Sequence, residues 1–138
     1  MEKVAVYFIL IKDDEVLLLK RSNTGWQDGN YGLPAGHLEK DETILSGILR
    51  EVKEEIGLDL KEDDIRFVHV MHRVSSHMDV FFEATFNGDE PVNNEPEKCE
   101  HIRWFKTGEL PENMVPSVRF AINNYINSVS FSEFVQEE

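Results

Sequence analysis

Asp41-Glu42-Thr43-Ile44-Leu45-Ser46-Gly47-Ile48-Leu49-Arg50-Glu51-Val52-Lys53-Glu54-Glu55-Ile56-Gly57 carries apolar residues at 44, 45, 48, 49, 52 and 56. That spacing is one face of an α-helix. The sequence predicts a helix over 41–56, with Asp41 as its N-cap and Gly57 as its C-terminal stop. Glu51, Glu54 and Glu55 stand at i, i+3 and i+4, so three carboxylates share roughly 100° of arc on one side. Like charges at this spacing cost about 0.2–0.5 kcal/mol per pair, and only Arg50 and Lys53 offer local relief. Hard oxygen ligands grouped in this way suit Mg²⁺, which keeps several waters and completes its shell with substrate phosphates. For a Glu-rich helix taken alone, a solvated charged face is the competing reading.

Upstream, Val4-Ala5-Val6-Tyr7-Phe8-Ile9-Leu10-Ile11 and Val16-Leu17-Leu18-Leu19 flank Asp13-Asp14, which reads as a β-hairpin. Ser22 to Gly36, with Gly25, Gly29, Gly32 and Pro34, reads as a long loop, and such loops in small domains tend to be functional. Downstream, Ile65–Val70 and Asp79–Phe86 read as strands, the second broken by Gly88-Asp89-Glu90-Pro91. An acidic loop, Asn93 to Glu100, precedes the short apolar run of Ile102, Trp104 and Phe105. Pro116 to Ile126 reads as a second helix, opened by a proline in its first turn. The tail, 128–138, is expected to fray. Mixed strands with two helices make the fold class α/β (α+β), a layered α/β/α sandwich on a mixed sheet. The chain reads as a single domain, 1–138, with its core over about 3–127 and no internal repeat or linker.

The 138 residues are 41% apolar, 10% aromatic and 30% charged, enough for one globular core and at odds with disorder or a multi-domain enzyme. The longest apolar run, Val4 to Ile11, falls far below the roughly 18 residues that span a bilayer. Met1-Glu2-Lys3 has no leader pattern, so a cytoplasmic location is expected. Cys99, the single cysteine, agrees with a reducing compartment and reads as a small buried hydrophobe. A net charge of −13 opposes binding to duplex nucleic acid or an anionic membrane surface.

Gly36, five residues, Glu42, seven residues, then Arg50-Glu51-Val52-Lys53-Glu54-Glu55-Ile56-Gly57-Leu58 resembles the Nudix box, G-x5-E-x7-R-E-U-x-E-E-x-G-U with U apolar. Every specified position matches. Seven fixed residues at usages of about 5–7% each make a chance match rarer than about one in a million. Tyr31-Gly32-Leu33-Pro34-Ala35-Gly36 also looks like the family's W-G-L-P-G-G approach, with Tyr for Trp and Ala for the first Gly. The likeness spans about residues 3–127. It implies a Nudix-type sandwich and hydrolysis of a diphosphate linked to another moiety, usually a nucleoside, with Mg²⁺ or Mn²⁺. Neutralising phosphoryl charge and activating water are tasks a metal cluster performs.

Carried over residue by residue, Glu54 and Glu55 are the principal metal ligands, with the backbone carbonyl of Ala35 an additional one. Glu51 ligates metal or takes the proton from the attacking water. Arg50 orients Glu51, Glu42 braces loop and helix, and Gly36 and Gly57 serve a close turn and the helix stop. The resemblance also points to an acidic residue from the loop Glu95-Pro96-Glu97-Lys98-Cys99-Glu100, taken in the order Glu97, Glu100, Glu95. Arg21 matches a position that often contacts phosphate, and His37 follows the box glycine toward the substrate; solvated edge and loop roles compete for both. Trp26 and Tyr31 are candidates to stack on a base, Tyr31 the better fit to packing under the loop. His69, His72, His77 and His101 lack zinc spacing and read as ordinary strand or loop residues.

The leading function is a pyrophosphohydrolase for a small nucleotide, a (deoxy)nucleoside triphosphate giving monophosphate and pyrophosphate. Alternatives are an ADP-ribose or nucleotide-sugar pyrophosphatase, release of pyrophosphate from an RNA 5′ end, a non-catalytic nucleotide-sensing module and a diphosphate isomerase. The acidic balance argues against RNA and the intact carboxylates against a sensor.

Overall fold

A computed structural model describes residues 3–135. Its central strand explains the apolar run near the start of the chain. In β1 (Lys3–Lys12), Val6, Phe8 and Leu10 enter one buried cluster, while Ala5, Tyr7 and Ile9 enter another. The first is covered by α1 (Ile44–Ile56) through Ile48, Val52 and Ile56, the second by α2 (Pro116–Ile126) through Val118, Ala121 and Ile122. A strand apolar at every position is one buried on both faces. The α/β/α sandwich on a mixed sheet follows.

The remaining strands are β2 (Glu15–Arg21), β3 (Tyr31–Gly32), β4 (Ala35–His37), β5 (Arg66–Arg73), β6 (His77–Thr85), β7 (Cys99–Lys106) and β8 (Phe131–Phe134). The sheet runs β3-β2-β1-β6-β5-β8, with β4 paired to β1 and β7 to β2. β1 is parallel to β6, and β5 to β8; the other pairs are antiparallel. The predicted hairpin holds only at its closed end, through Ile11↔Val16 and Lys12↔Glu15. Farther along, β4 takes β2's place beside Ala5, Val6 and Tyr7. This parting brings residues 35–37 against α1, and the candidate site forms there.

Three expectations need correction. The N-cap of α1 is Thr43, whose hydroxyl accepts from the Ser46 N–H at 3.1 Å, whereas Asp41 lies two residues earlier at φ 63°. Gly57 closes the helix as expected, at φ 71° with its N–H on the Lys53 carbonyl. The loop predicted over 22–36 contains β3 and β4, which leaves 22–30 as its irregular part. The tail is not frayed through its described length. β8 adds a parallel strand along Val70–Arg73, and buried His69 ties it down, donating from Nδ1 to the Val129 carbonyl and accepting at Nε2 from the Ser132 hydroxyl, both at 2.7 Å. Residues 1–2 and 136–138, including the end of the predicted tail, lie outside the described residues. Cys99 is buried, as read. No helix among the described residues is long and apolar enough to cross a membrane.

Candidate metal and nucleotide site

Arg50 organises the carboxylates around it. Its Nε and Nη2 bind both oxygens of Glu42 at 2.6 and 2.9 Å, while Nη1 donates to Glu51 at 2.7 Å and to Glu54 at 3.2 Å. Nη2 also reaches the His37 carbonyl at 3.4 Å. One guanidinium fork thereby joins the loop before α1, the helix itself and β4. The Arg50 bonds, reinforced by the Glu39 N–H, pull the Glu42 carboxyl down to about 2. Gly36 is dictated by contact, since a Cβ there would overlap the Glu51 carboxylate.

Glu55 is the most enclosed of the three helix carboxylates. Its Oε2 accepts from the Ala35 N–H at 2.9 Å; burial, with Glu51 beside it, pushes its carboxyl well above the usual range. Glu51 is 13% exposed at its side chain and Glu54 is 53% exposed. With Ala35, Arg50 and Glu95 they line a cavity of about 520 Å³.

Glu95, placed last of three by sequence, is the acidic-loop residue that reaches this cavity. The loop's backbone caps the end of α1: Val92 N–H donates to the Ile56 carbonyl at 2.9 Å and Asn94 N–H to the Glu55 carbonyl at 3.1 Å. That anchoring carries Glu95 to the cluster, and burial, aided by Glu51, Glu97 and Glu54, raises its carboxyl. Glu97, placed first, does not line the cavity; its carbonyl accepts from Asn23 at 3.4 Å. Glu100 lies in β7 and pairs with Lys20 at 3.3 Å.

Among the described residues, no three His, Cys, Asp or Glu side chains already stand in a liganding arrangement. The carboxylates rest instead on Arg50 and the Ala35 N–H. The donor set fits a hard divalent cation nonetheless, because it offers only oxygens and crowds like charges against a buried wall.

A second cavity of about 710 Å³ adjoins the first, and Arg21 and Ala35 line both. Arg21 is engaged locally: Nε donates to the Trp26 carbonyl at 2.8 Å and Nη2 to the Thr24 hydroxyl at 2.9 Å. His37 is exposed at this cavity, its ring 5.2 Å from that of His77. Tyr31 is buried under the loop, its hydroxyl 2.6 Å from His101 Nε2, so it offers no stacking face.

Sequence reasoning passed over the polar group beneath this second cavity. Arg73 Nε lies 2.9 Å from one Asp79 oxygen and His77 Nε2 lies 2.8 Å from the other, with Asp79 fully buried. Neither Asp79 oxygen nor Arg73 Nε completes a well-aligned hydrogen bond. Burial pushes Asp79 up to about 7; burial and the Arg73 and His37 charges hold His77 down to about 4. The available signal was a charged residue inside the apolar run Val80-Phe81-Phe82 and its flank.

The chain resembles known proteins across most of its length. A family model for the NUDIX domain matches residues 1–124. Among curated proteins, the ADP-ribose pyrophosphatase of Methanocaldococcus jannaschii is 46% identical over 55 residues, 40% of this chain and 32% of that protein. The NAD-capped RNA hydrolase of Stutzerimonas stutzeri is 32% identical over 75% of this chain and 36% of its own length. The 8-oxo-dGDP phosphatase of Homo sapiens is 31% identical over 78% of this chain and 33% of its own length. The chain therefore spans about a third of the length of these relatives. A MutT NUDIX hydrolase from Burkholderia pseudomallei superposes with a TM-score of 0.79 at 25% identity, covering 89% of this chain and 97% of that one. With its box filled at every specified position and the family model spanning most of its residues, the chain belongs to the Nudix family.

Proposed function

We propose that the chain is a divalent-metal-dependent pyrophosphohydrolase that splits a nucleoside diphosphate linked to another moiety, with a nucleoside triphosphate as substrate and a monophosphate plus pyrophosphate as products. The convergence of Glu51, Glu54 and Glu55 with Ala35 on one cavity carries this reading. Glu51, Glu54, Glu55 and the Ala35 carbonyl would hold Mg²⁺ or Mn²⁺, with Glu95 supplying a further oxygen from the loop. The cation would supply neutralisation of phosphoryl charge and acidification of water.

The chain's own residues do the positioning. Arg50 fixes Glu51, which ligates the cation or accepts the proton of the attacking water, and Glu42 locks Arg50 in turn. The three relatives named above are described as acting on ADP-ribose, NAD-capped RNA and 8-oxo-dGDP, in keeping with a nucleotide-linked substrate. ADP-ribose or another nucleotide sugar is the second reading, favoured by the identity to the Methanocaldococcus protein.

A panel of nucleotides and nucleotide sugars, assayed with Mg²⁺ or Mn²⁺ and read by the phosphorus products, tests the assignment. Pyrophosphate with a nucleoside monophosphate is the expected pair. A sugar phosphate with a monophosphate moves the substrate to the second reading, and no phosphoanhydride cleavage at all overturns the hydrolase.

A further inference from the structure

The second cavity has no part in the chemistry above, and its walls differ in charge from the rest of the molecule. The chain carries a net charge of −13, yet among the described residues no Asp or Glu lines this cavity, while Lys3, Arg21 and Arg73 do. Fully buried Asp79, 2.9 Å from Arg73 Nε, cancels one of these charges from beneath the wall. Arg21 keeps its own, because Nε and Nη2 donate to neutral oxygens, the Trp26 carbonyl at 2.8 Å and the Thr24 hydroxyl at 2.9 Å. With exposed Lys3 included, the cations exceed the carboxylate by two among the described residues. The field is felt at His77, which burial and then the charges of Arg73, His37 and Lys3 hold down to about 4.

The same cations are held in place by groups that do not neutralise them. Trp26 sits on the loop 22–30, where the Asp28 carboxylate accepts from the Gly25 N–H at 2.8 Å and the Thr24 hydroxyl at 2.6 Å. The Arg21 and Arg73 guanidinium groups lie over the indole, 4.9 and 5.8 Å from its ring centre. An aromatic face fixes a cation and leaves its charge available to a ligand. The hydroxyls of Tyr7 and Ser76 line the same cavity and can donate. Fixed cations, hydroxyl donors and a wall without carboxylates suit a phosphate group. The cavity, about 710 Å³, also admits the group that carries it.

We propose that this cavity takes a terminal phosphate of the substrate, so that the moiety on the far side of the cleaved bond is itself phosphate-ended, with Lys3 a specificity-determining residue. The end of a triphosphate chain and a phosphorylated sugar share that chemistry; an uncharged sugar lacks it. The placement of the cleaved bond rests on the hydrolase reading, since Arg21 and Ala35 join this cavity to the carboxylates.

The test has a binding arm and a kinetic arm. The chain has two tryptophans, and Trp104 lines neither cavity, so Trp104→Phe leaves Trp26 as the sole indole. Without metal, the carboxylate cavity repels anions, so inorganic pyrophosphate and ribose 5-phosphate should change Trp26 fluorescence saturably only through the second cavity, and adenosine and ribose should not. Lys3→Glu reverses one wall charge, and Ser76→Asp adds a carboxylate at an exposed position of the wall. Each should weaken pyrophosphate binding about tenfold, and Lys3→Arg should keep it near the parental value. In turnover, the same two substitutions should raise KM about tenfold, with kcat little changed, for nucleoside triphosphates and for ADP-ribose carrying a phosphate on its distal ribose. Plain ADP-ribose should be the poorer substrate, with a KM that neither substitution moves. The better of the two phosphate-ended substrates identifies the source of the phosphate. A saturable response to adenosine and not to the phosphates, an equal KM penalty on plain ADP-ribose, or plain ADP-ribose as the preferred substrate overturns the proposal. If the chain cleaves no phosphoanhydride, the hydrolase reading fails while the fluorescence arm still decides this one.

Discussion

The two adjoining cavities share Arg21 and Ala35 and otherwise follow opposite construction rules. The carboxylate cavity takes Arg50, Glu51, Glu54 and Glu55 from two turns of α1, where helix geometry alone forces like charges together. The Trp26 cavity gathers Tyr7 from β1, Trp26 from a loop, Arg73 from β5 and His77 from β6. One concentrates charge locally and leaves it for a ligand to neutralise. The other carries Lys3, Arg21 and Arg73, of which Arg73 is held against fully buried Asp79 inside the fold.

Substitutions should separate these behaviours. Glu54→Gln is expected to lower turnover by roughly two orders of magnitude or more, and to leave metal-free thermal stability unchanged or raised because one repelling charge is gone. Near-parental turnover at saturating Mg²⁺ would remove Glu54 from the metal set. Asp79→Ala should do the reverse, costing about 3–5 kcal/mol in urea unfolding by leaving Arg73 buried without its partner. A silent Asp79→Ala would mean that the pair contributes nothing to the fold.

Within the carboxylate cavity, Glu95→Gln should shift the rate or the Mn²⁺ dependence about tenfold, while Glu97→Gln leaves both near parental values. The opposite ranking would restore the order read from sequence.

The smallest effect concerns pH. With His77 near 4 and Asp79 near 7, the folded protein at about pH 5 carries one proton on Asp79, and the unfolded chain carries one on His77. Equal proton counts give no slope, so the pair adds almost nothing to the pH dependence of stability between about 4.5 and 6. His77→Gln removes the unfolded-state proton. The native state then binds more protons between 3.8 and about 7, and stability should fall, relative to the parent, as pH rises through that window. Arg73, His37 and Lys3 face the same group and are unchanged by the substitution. Urea titrations of both proteins at two pH values check the sign; parallel slopes would contradict it.

What the sequence revealed follows the same division. The α1 pattern and the bounds of α2 rest on spacings of a few residues and were readable, while the Arg50–Glu51 contact was implied by the family resemblance. The Asp41 assignment failed because two cap-type residues compete two positions apart, and only backbone geometry chooses Thr43. β8 is four residues long and is held by distant His69 and β5, so no local periodicity announces it. Glu95 outranks Glu97 because Val92 and Asn94 cap α1, a contact across more than thirty positions of chain. The Arg73–Asp79 pair forms only where β5 and β6 bring the two side chains together, and no local pattern marks it.

The parting of β1 from β2, with β4 inserted between them, has a consequence for divergence. It sets the box helix on one side of Ala35 and positions 26, 73 and 77 on the other, so drift at the second group does not pass through the first. Substitutions at the second group leave the Arg50 bonds to Glu42, Glu51 and Glu54 in place. A directed-evolution library should therefore randomise 26, 37 and 73 and hold 36 and 42–58 constant.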